Sequence, residues 1–147
     1  MKKLKMLVTG DKGFIGSHLT KLLKKDYKVI GWDIKDNKNI FNISSIFEDS
    51  KHLIREIIEK VDIVYHLGAL TSVNQSFKNP DEVFITNVLG TAKIAYLCAK
   101  YKKKLIYPST AAVYYKELSP YAYSKHLAEE IVKGIIETTP VVILRLF

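Results

Sequence analysis

The sequence predicts an α/β protein: a doubly wound parallel sheet of about six strands with helices on both faces. Three observations lead there. Short apolar stretches of strand length alternate with longer segments whose apolar residues recur at helical spacing. A glycine-spaced loop, Gly10-Asp11-Lys12-Gly13-Phe14-Ile15-Gly16, sits where the first strand becomes the first helix. The stretch Val61 to Leu67 is nearly continuous in apolar residues, as a parallel strand covered on both faces should be.

Taken in order, Leu4 to Thr9 is the first strand, and Ile15, Leu19, Leu22 and Leu23 mark the helix after it. Between them each glycine has a separate task. Gly10 allows a tight turn, Gly13 lets the backbone approach a pyrophosphate, and Gly16 lets the helix pack closely on the strand. The free N–H groups of the helix N-terminus then face the anion. Glycine triplets punctuate many turns, so the loop gains weight only from its flanking strand and helix and from an acid further on. Tyr27 to Asp33 reads as the second strand, and Asp33 lies 17 residues after Gly16. That is near the ~20 expected for a carboxylate that accepts hydrogen bonds from the adenosine ribose. A carboxylate there repels a 2′-phosphate, so NAD is favoured over NADP.

Residues 34–45 are polar and turn-like, and the apolar spacing over 46–60 predicts a helix. The third strand, Val61 to Leu67, ends at Gly68-Ala69, small residues that let a cofactor lie against the backbone. His66 reads as a packed strand-end histidine. Asn79 caps and Pro80 begins a helix that runs to about Tyr101. Lys104 to Ser109 is a strand, Pro120 to Thr138 a helix, and Val141 to Leu146 the final strand.

The chain of 147 residues, 48% hydrophobic and 26% charged, has the composition of one globular domain. Its net charge of +8 comes from scattered lysines, of which only Lys102-Lys103-Lys104 form a dense run. A solvated lysine-rich surface is the reading, with no aromatic-and-basic strand platform for nucleic acid. The single cysteine, Cys98, rules out an internal disulfide and lies in an apolar helical pattern, which suits a buried thiol. No apolar run approaches the ~18 residues of a membrane span, and the basic start lacks a signal-peptide core. The expectation is a cytoplasmic protein with neither membrane nor nucleic-acid partner.

Chemistry gathers in Ser119-Pro120-Tyr121-Ala122-Tyr123-Ser124-Lys125. Tyr121 and Lys125 are four apart and share one helix face, while Tyr123 points away. Ser119 caps and Pro120 opens the helix, which puts Tyr121 in the first turn. There the helix dipole and the Lys125 ammonium favour a phenolate, so Tyr121 is expected to titrate below the usual ~10 and act as a general base. A Y-x-x-x-K pair alone is common. Its place after a strand that ends Ser109-Thr110 strengthens it.

Together these residues resemble the extended short-chain dehydrogenase/reductase family, in its NAD-dependent epimerase/dehydratase branch. The resemblance rests on Thr9 to Gly16, Asp33, Val61 to Ala69, Asn87-Val88-Leu89-Gly90-Thr91, Ser109 to Tyr114 and Tyr121 to Lys125. It implies a Rossmann fold holding NAD tightly, with Thr110, Tyr121 and Lys125 as the catalytic group. It implies that Phe14, Ile15, the turn from Leu67 through Gly68 and Ala69 to Thr71, Asn87 and Phe147 line the cofactor beside Gly10, Gly13, Gly16 and Asp33. At Asn42-Ile43 the family usually has an Asp that contacts adenine; this chain lacks it, so Ile43 is expected at the cofactor with a weaker adenine contact. Sugar-nucleotide 4,6-dehydratases follow the catalytic Thr with an Asp-Glu pair, where this chain has Ala111 and Ala112. The resemblance therefore points to a UDP-glucose 4-epimerase-like enzyme. Such an enzyme moves hydride to and from a sugar carbon of a nucleotide-sugar, a UDP-sugar by preference, and a homodimer is allowed for. Residues 1–147 are expected to be the NAD-binding domain, with the family's C-terminal substrate domain absent. A non-catalytic NAD-binding module or truncated remnant stays open as the other reading.

Overall fold

The computed structural model describes residues 3–36 and 53–147. The Ile43 expectation and the first part of the 46–60 helix lie outside the described residues.

Five parallel strands form one sheet: β1 (Lys5–Thr9), β2 (Lys28–Trp32), β3 (Ile63–His66), β4 (Lys104–Thr110) and β5 (Val141–Leu146). Their order is β2-β1-β3-β4-β5. Each lies at one of the stretches read from the sequence, and the described residues hold these five against the about six expected. The helices are α1 (Phe14–Leu23), α2 (Leu53–Lys60), α3 (Val73–Lys78), α4 (Pro80–Phe84), α5 (Gly90–Tyr101) and α6 (Pro120–Lys133). This is a Rossmann-like α/β arrangement. The chain leaves β1 toward β2 on one side and returns to β3 on the other. The carboxyl ends of β1 and β3 therefore form the switch point where open α/β sheets take their ligands.

Alternation along β1 shows how both faces are covered. Leu7 joins a large core with Ile58, Val64, Ile94, Cys98, Leu105, Ala128 and Val132, on the side of α2, α5 and α6. Met6 and Val8 face the other way and pack with Leu23, Leu19 and Val29 under α1. In α1 the buried positions are Gly16, Thr20 and Leu23, while Leu22 stays exposed.

Pro80–Tyr101 is one helical run whose middle turn, Ile85–Leu89, widens to a π turn between α4 and α5. By length and composition it is the one candidate membrane span among the described residues, where the sequence reading expected none. Val83, Asn87, Thr91, Ile94, Ala95, Leu97 and Cys98 along it are buried, so within this fold it acts as a core helix. Pro80 opens it as expected, but the Asn79 side chain makes no capping bond. Helix α3 was not foreseen; Ser72 caps it by accepting from the Gln75 N–H at 3.2 Å. Helix α6 ends at Lys133, short of the expected Thr138, and continues as turns. Cys98 is buried as expected, which lifts its thiol to about 12.

Candidate functional site

The glycine loop owes its shape to backbone packed against backbone. Gly10 has φ +69, and a Cβ there would lie 2.8 Å from the Gly68 nitrogen, so only glycine suits this turn. Its own N–H donates to the Trp32 carbonyl at 2.7 Å. A Cβ on Gly16 would fall 2.0 Å from the Gly10 carbonyl oxygen. Gly16 therefore lets α1 close on the loop itself, which refines the expected packing on the strand. Gly13 differs: its Cβ would meet only the Gly10 carbonyl oxygen, at 3.2 Å. It occupies the N-cap of α1, which has neither a side-chain cap nor an acid in its first turn. The first-turn N–H groups are left for a ligand.

Gly31 was missed. A Cβ there would strike the Asp11 carboxylate oxygen at 1.9 Å, so β2 carries glycine where the loop's side chain packs on it. A glycine inside a strand pattern was the available signal. Just beyond it, Asp33 is buried at the strand end. Its carboxylate accepts from the Lys12 N–H at 3.1 Å and the Lys35 N–H at 2.9 Å, which fixes its orientation.

The second wall is the turn after β3. His66, fully buried, bonds Thr9 Oγ1 at 2.7 Å and Thr91 Oγ1 at 3.1 Å, and burial pushes its imidazole down to about 3. It is the packed histidine expected. Asn87, from the π turn, does not line the cleft; it stands behind it. Its side chain accepts from the Leu70 N–H at 2.8 Å and donates to the Leu70 carbonyl at 2.9 Å and to Ser124 Oγ at 3.0 Å. Ser124 Oγ in turn donates to the Tyr121 carbonyl. The π turn thus ties the Leu67–Thr71 segment to α6. Asn87→Ala removes all three bonds and should cost about 2 kcal/mol, read as a lower midpoint in thermal unfolding.

The far end of the cleft carries Thr110, Tyr121 and Lys125. Ser119 Oγ caps α6 by accepting from the Ala122 N–H at 3.0 Å, with Pro120 in the first turn, as the sequence predicts. Thr110 Oγ1 accepts from the Ala112 N–H at 3.2 Å. Tyr123 faces outward and is exposed. One expectation is overturned. Burial raises the Tyr121 phenol above its ordinary value, and a hydrogen bond with Thr110 only partly offsets this. The Lys125 ammonium, which was to favour the phenolate, donates to the Pro108 carbonyl at 2.9 Å and lies 4.1 Å from the Tyr107 ring centroid. Burial brings Lys125 itself down to about 7, with Glu129 opposing. As arranged, burial favours the protonated phenol of Tyr121.

Sequence reading also missed Glu129 and Arg145. Glu129 is 1% exposed and accepts from Ser109 Oγ at 2.7 Å and from the Arg145 guanidinium. Arg145 first, then Ser109 and Lys133, hold its carboxyl down to about 2 against burial. Arg145 also donates to the Tyr114 hydroxyl at 2.7 Å. The signal was present as spacing: Glu129 stands one turn beyond Lys125 on the Tyr121 face.

These parts open on one cleft of about 570 Å³. Gly10, Gly13, Phe14, Ile15, Gly16 and Asp33 line one end, Leu67, Gly68 and Ala69 the middle, and Thr110, Tyr121, Lys125 and Phe147 the other. Thr86, Leu146 and Trp32, not singled out from the sequence, line it too.

Comparison with known proteins gives this cleft its context. The model of the NAD-dependent epimerase/dehydratase family matches residues 6–147. The chain belongs to that family. NAD is the cofactor of the NAD-dependent epimerase/dehydratase family, as its description states. A dTDP-D-glucose 4,6-dehydratase of Dictyostelium discoideum is 39% identical over 128 residues, which cover 75% of this chain and 30% of that protein. A putative UDP-glucose 4-epimerase of Methanocaldococcus jannaschii is 34% identical over 151 residues, covering 87% of this chain and 50% of the relative. Among solved structures, a UDP-N-acetylglucosamine 4-epimerase from Methanobrevibacter ruminantium M1, in complex with UDP-N-acetylmuramic acid, superposes with a TM-score of 0.82. It is 28% identical, and the match covers 99% of this chain and 55% of that one. The family member described here thus spans about half the length, or less, of these relatives.

Proposed function

We propose that residues 1–147 are the NAD-binding domain of a nucleotide-sugar oxidoreductase of epimerase type, a cytoplasmic enzyme that takes a UDP-sugar. One observation carries this reading: the glycine loop, Asp33 and the Thr110–Tyr121–Lys125 group all open on the same cleft. The cradle suits a dinucleotide. Side chains at Gly10 and Gly16 would collide with backbone, while the space over Gly13 and the uncapped α1 N-terminus suits a pyrophosphate. Asp33 would hold the adenosine ribose and Lys125 the nicotinamide ribose, with Tyr121 lining the cleft beside it. Bound NAD would supply the two-electron acceptor and donor for chemistry at a sugar carbon.

The chain's own part is proton handling and orientation. Tyr121, as a phenol, is poised to give its proton to a sugar carbonyl oxygen, and in the reverse direction its oxygen takes the proton of the sugar hydroxyl. Thr110 would hold that hydroxyl beside it. Ala111 and Ala112, which follow Thr110, bring neither acid nor base, and this favours epimerisation over water elimination. A non-catalytic NAD-binding module is the second reading. It is favoured by the Lys125 ammonium being engaged by the Pro108 carbonyl.

Calorimetry with NAD and NADP, followed by mixing with UDP-glucose or UDP-galactose at the NADH absorbance band, separates the two. NAD binding with turnover supports the enzyme, and binding without turnover supports the module. Failure to bind either cofactor rejects both. In the same titrations Asp33→Ala should weaken NAD about tenfold and narrow its margin over NADP, since two ribose hydrogen bonds and a repulsive charge are lost. Equal affinity of the unmutated protein for both cofactors would count against the role given to Asp33.

A further inference from the structure

Tyr121, Lys125 and Glu129 follow one another at intervals of four along α6 and so share one face. Side chains on a helix lean toward its N-terminus, which aims Glu129 at Lys125 and Lys125 at Tyr121. Two neighbouring residues of β4 grip this row: the Pro108 carbonyl accepts from Lys125 Nζ at 2.9 Å, and Ser109 Oγ donates to Glu129 Oε2 at 2.7 Å. Arg145 on β5 closes the far side by donating to both Glu129 oxygens.

We propose that Glu129 is a positioning residue for the reaction: clamped by Ser109 and Arg145, its carboxylate is the countercharge that lets the Lys125 ammonium stay buried one turn from Tyr121. This rests on the dinucleotide-enzyme reading of the cleft. An ammonium that is 5% exposed needs a negative partner or it loses its proton. The groups that face Lys125 are Tyr107 and the Pro108 carbonyl on β4, His66 on β3, and Tyr121 and Glu129 on α6. Of these only Glu129 is anionic at neutral pH. The cations on Glu129 weaken its effect at Lys125 without cancelling it. Arg145 and Lys133 side chains are 33% and 41% exposed and therefore screened by water, whereas the Glu129 side chain is 1% exposed. A charged Lys125 in turn offers a donor to the ribose of a bound dinucleotide beside Tyr121.

The test is the protonation midpoint of Lys125, followed by NMR on protein with carbon-labelled lysine, in the parent and two variants. Glu129→Gln keeps the shape and an acceptor for Ser109 but removes the charge; the Lys125 midpoint should fall by about one pH unit. Arg145→Met frees the Glu129 charge from its strongest partner, and the midpoint should rise. A merely structural Glu129 would lower the unfolding temperature in both variants without moving the Lys125 midpoint in either, and that result overturns the proposal. If Glu129→Gln does not fold, Arg145→Met decides alone: a rise supports the proposal, and an unmoved midpoint overturns it. Calorimetry with NAD on the parent keeps the two readings apart. NAD binding with an unmoved Lys125 overturns this inference only. Opposite shifts without NAD binding overturn the dinucleotide reading, and with it any role of Glu129 in the reaction.

Discussion

Gly16→Ala is expected to lose about 3 kcal/mol of stability and all measurable dinucleotide affinity. The added methyl would sit 2.0 Å from the Gly10 carbonyl oxygen, 2.8 Å from its carbon and 2.9 Å from the Asp11 Cα. All three are backbone atoms, so no rotamer change relieves the clash, and α1 must move off the loop. Overpacking of this kind ordinarily costs about 1–3 kcal/mol, and a rigid backbone partner puts it at the upper end. Gly13→Ala is the informative companion. Its methyl has one close neighbour, at 3.2 Å, and Gly13 lines the cleft. It should melt near the parent temperature yet bind NAD more weakly. Thermal unfolding by circular dichroism, read beside calorimetry, separates the glycine that builds the cradle from the glycine that leaves room in it. Equal melting of the Gly16→Ala protein and its parent would show that the loop yields more readily than the packing implies.

Tyr121→Phe should lower turnover of a UDP-sugar by about 10²–10⁴-fold while leaving NAD affinity within a factor of about two, because only the proton-transferring oxygen is removed. Tyr123→Phe should change little, since that ring is exposed and packs edge-on to Phe84. The pH profile carries further information. Burial holds the Tyr121 phenol above its ordinary value, so the phenol form prevails at neutral pH. Oxidation of a sugar hydroxyl needs the phenolate and should accelerate as pH rises. Reduction of a keto-sugar needs the phenol and should not. A Tyr121→Phe protein that turned over as fast as its parent would remove this tyrosine from the chemistry.

The fold was legible because its strands are mostly apolar runs, the central β1 being covered on both faces. Val61 to Leu67 and Val141 to Leu146 read as strands from apolar continuity alone, and the loop between β1 and α1 announced itself through glycine spacing. The cap of α6 was legible for the same kind of reason: Ser119 and Pro120 act locally, within one turn. What could not be read depends on distance. Burial at Tyr121 is set by side chains on other elements, and the direction of its titration follows from desolvation rather than from Lys125 four residues away. The Lys125 bond to Pro108 spans 17 positions of sequence, and the Asn87 bonds to Leu70 also span 17. Glu129 looked like an ordinary charged helix residue until Ser109 and Arg145 were brought against it from two strands. Helix α3 escaped because Val73–Lys78 is too short for a periodic pattern.

The strand order also dictates when each half of the cleft can exist during synthesis. β1 lies between β2 and β3, so the cradle around Gly10 and Gly68 is complete once His66 and the turn after it have left the ribosome. Thr110 and Tyr121 emerge 42 and 53 residues after Gly68, a delay on the order of seconds at ribosomal speed. During that interval β3 has β1 on one side and an unpaired row of backbone groups on the other, because its second partner is β4. Such a row invites pairing with another nascent chain. This interval is the time at which a chaperone would have most to protect, and it closes when Lys104–Thr110 docks.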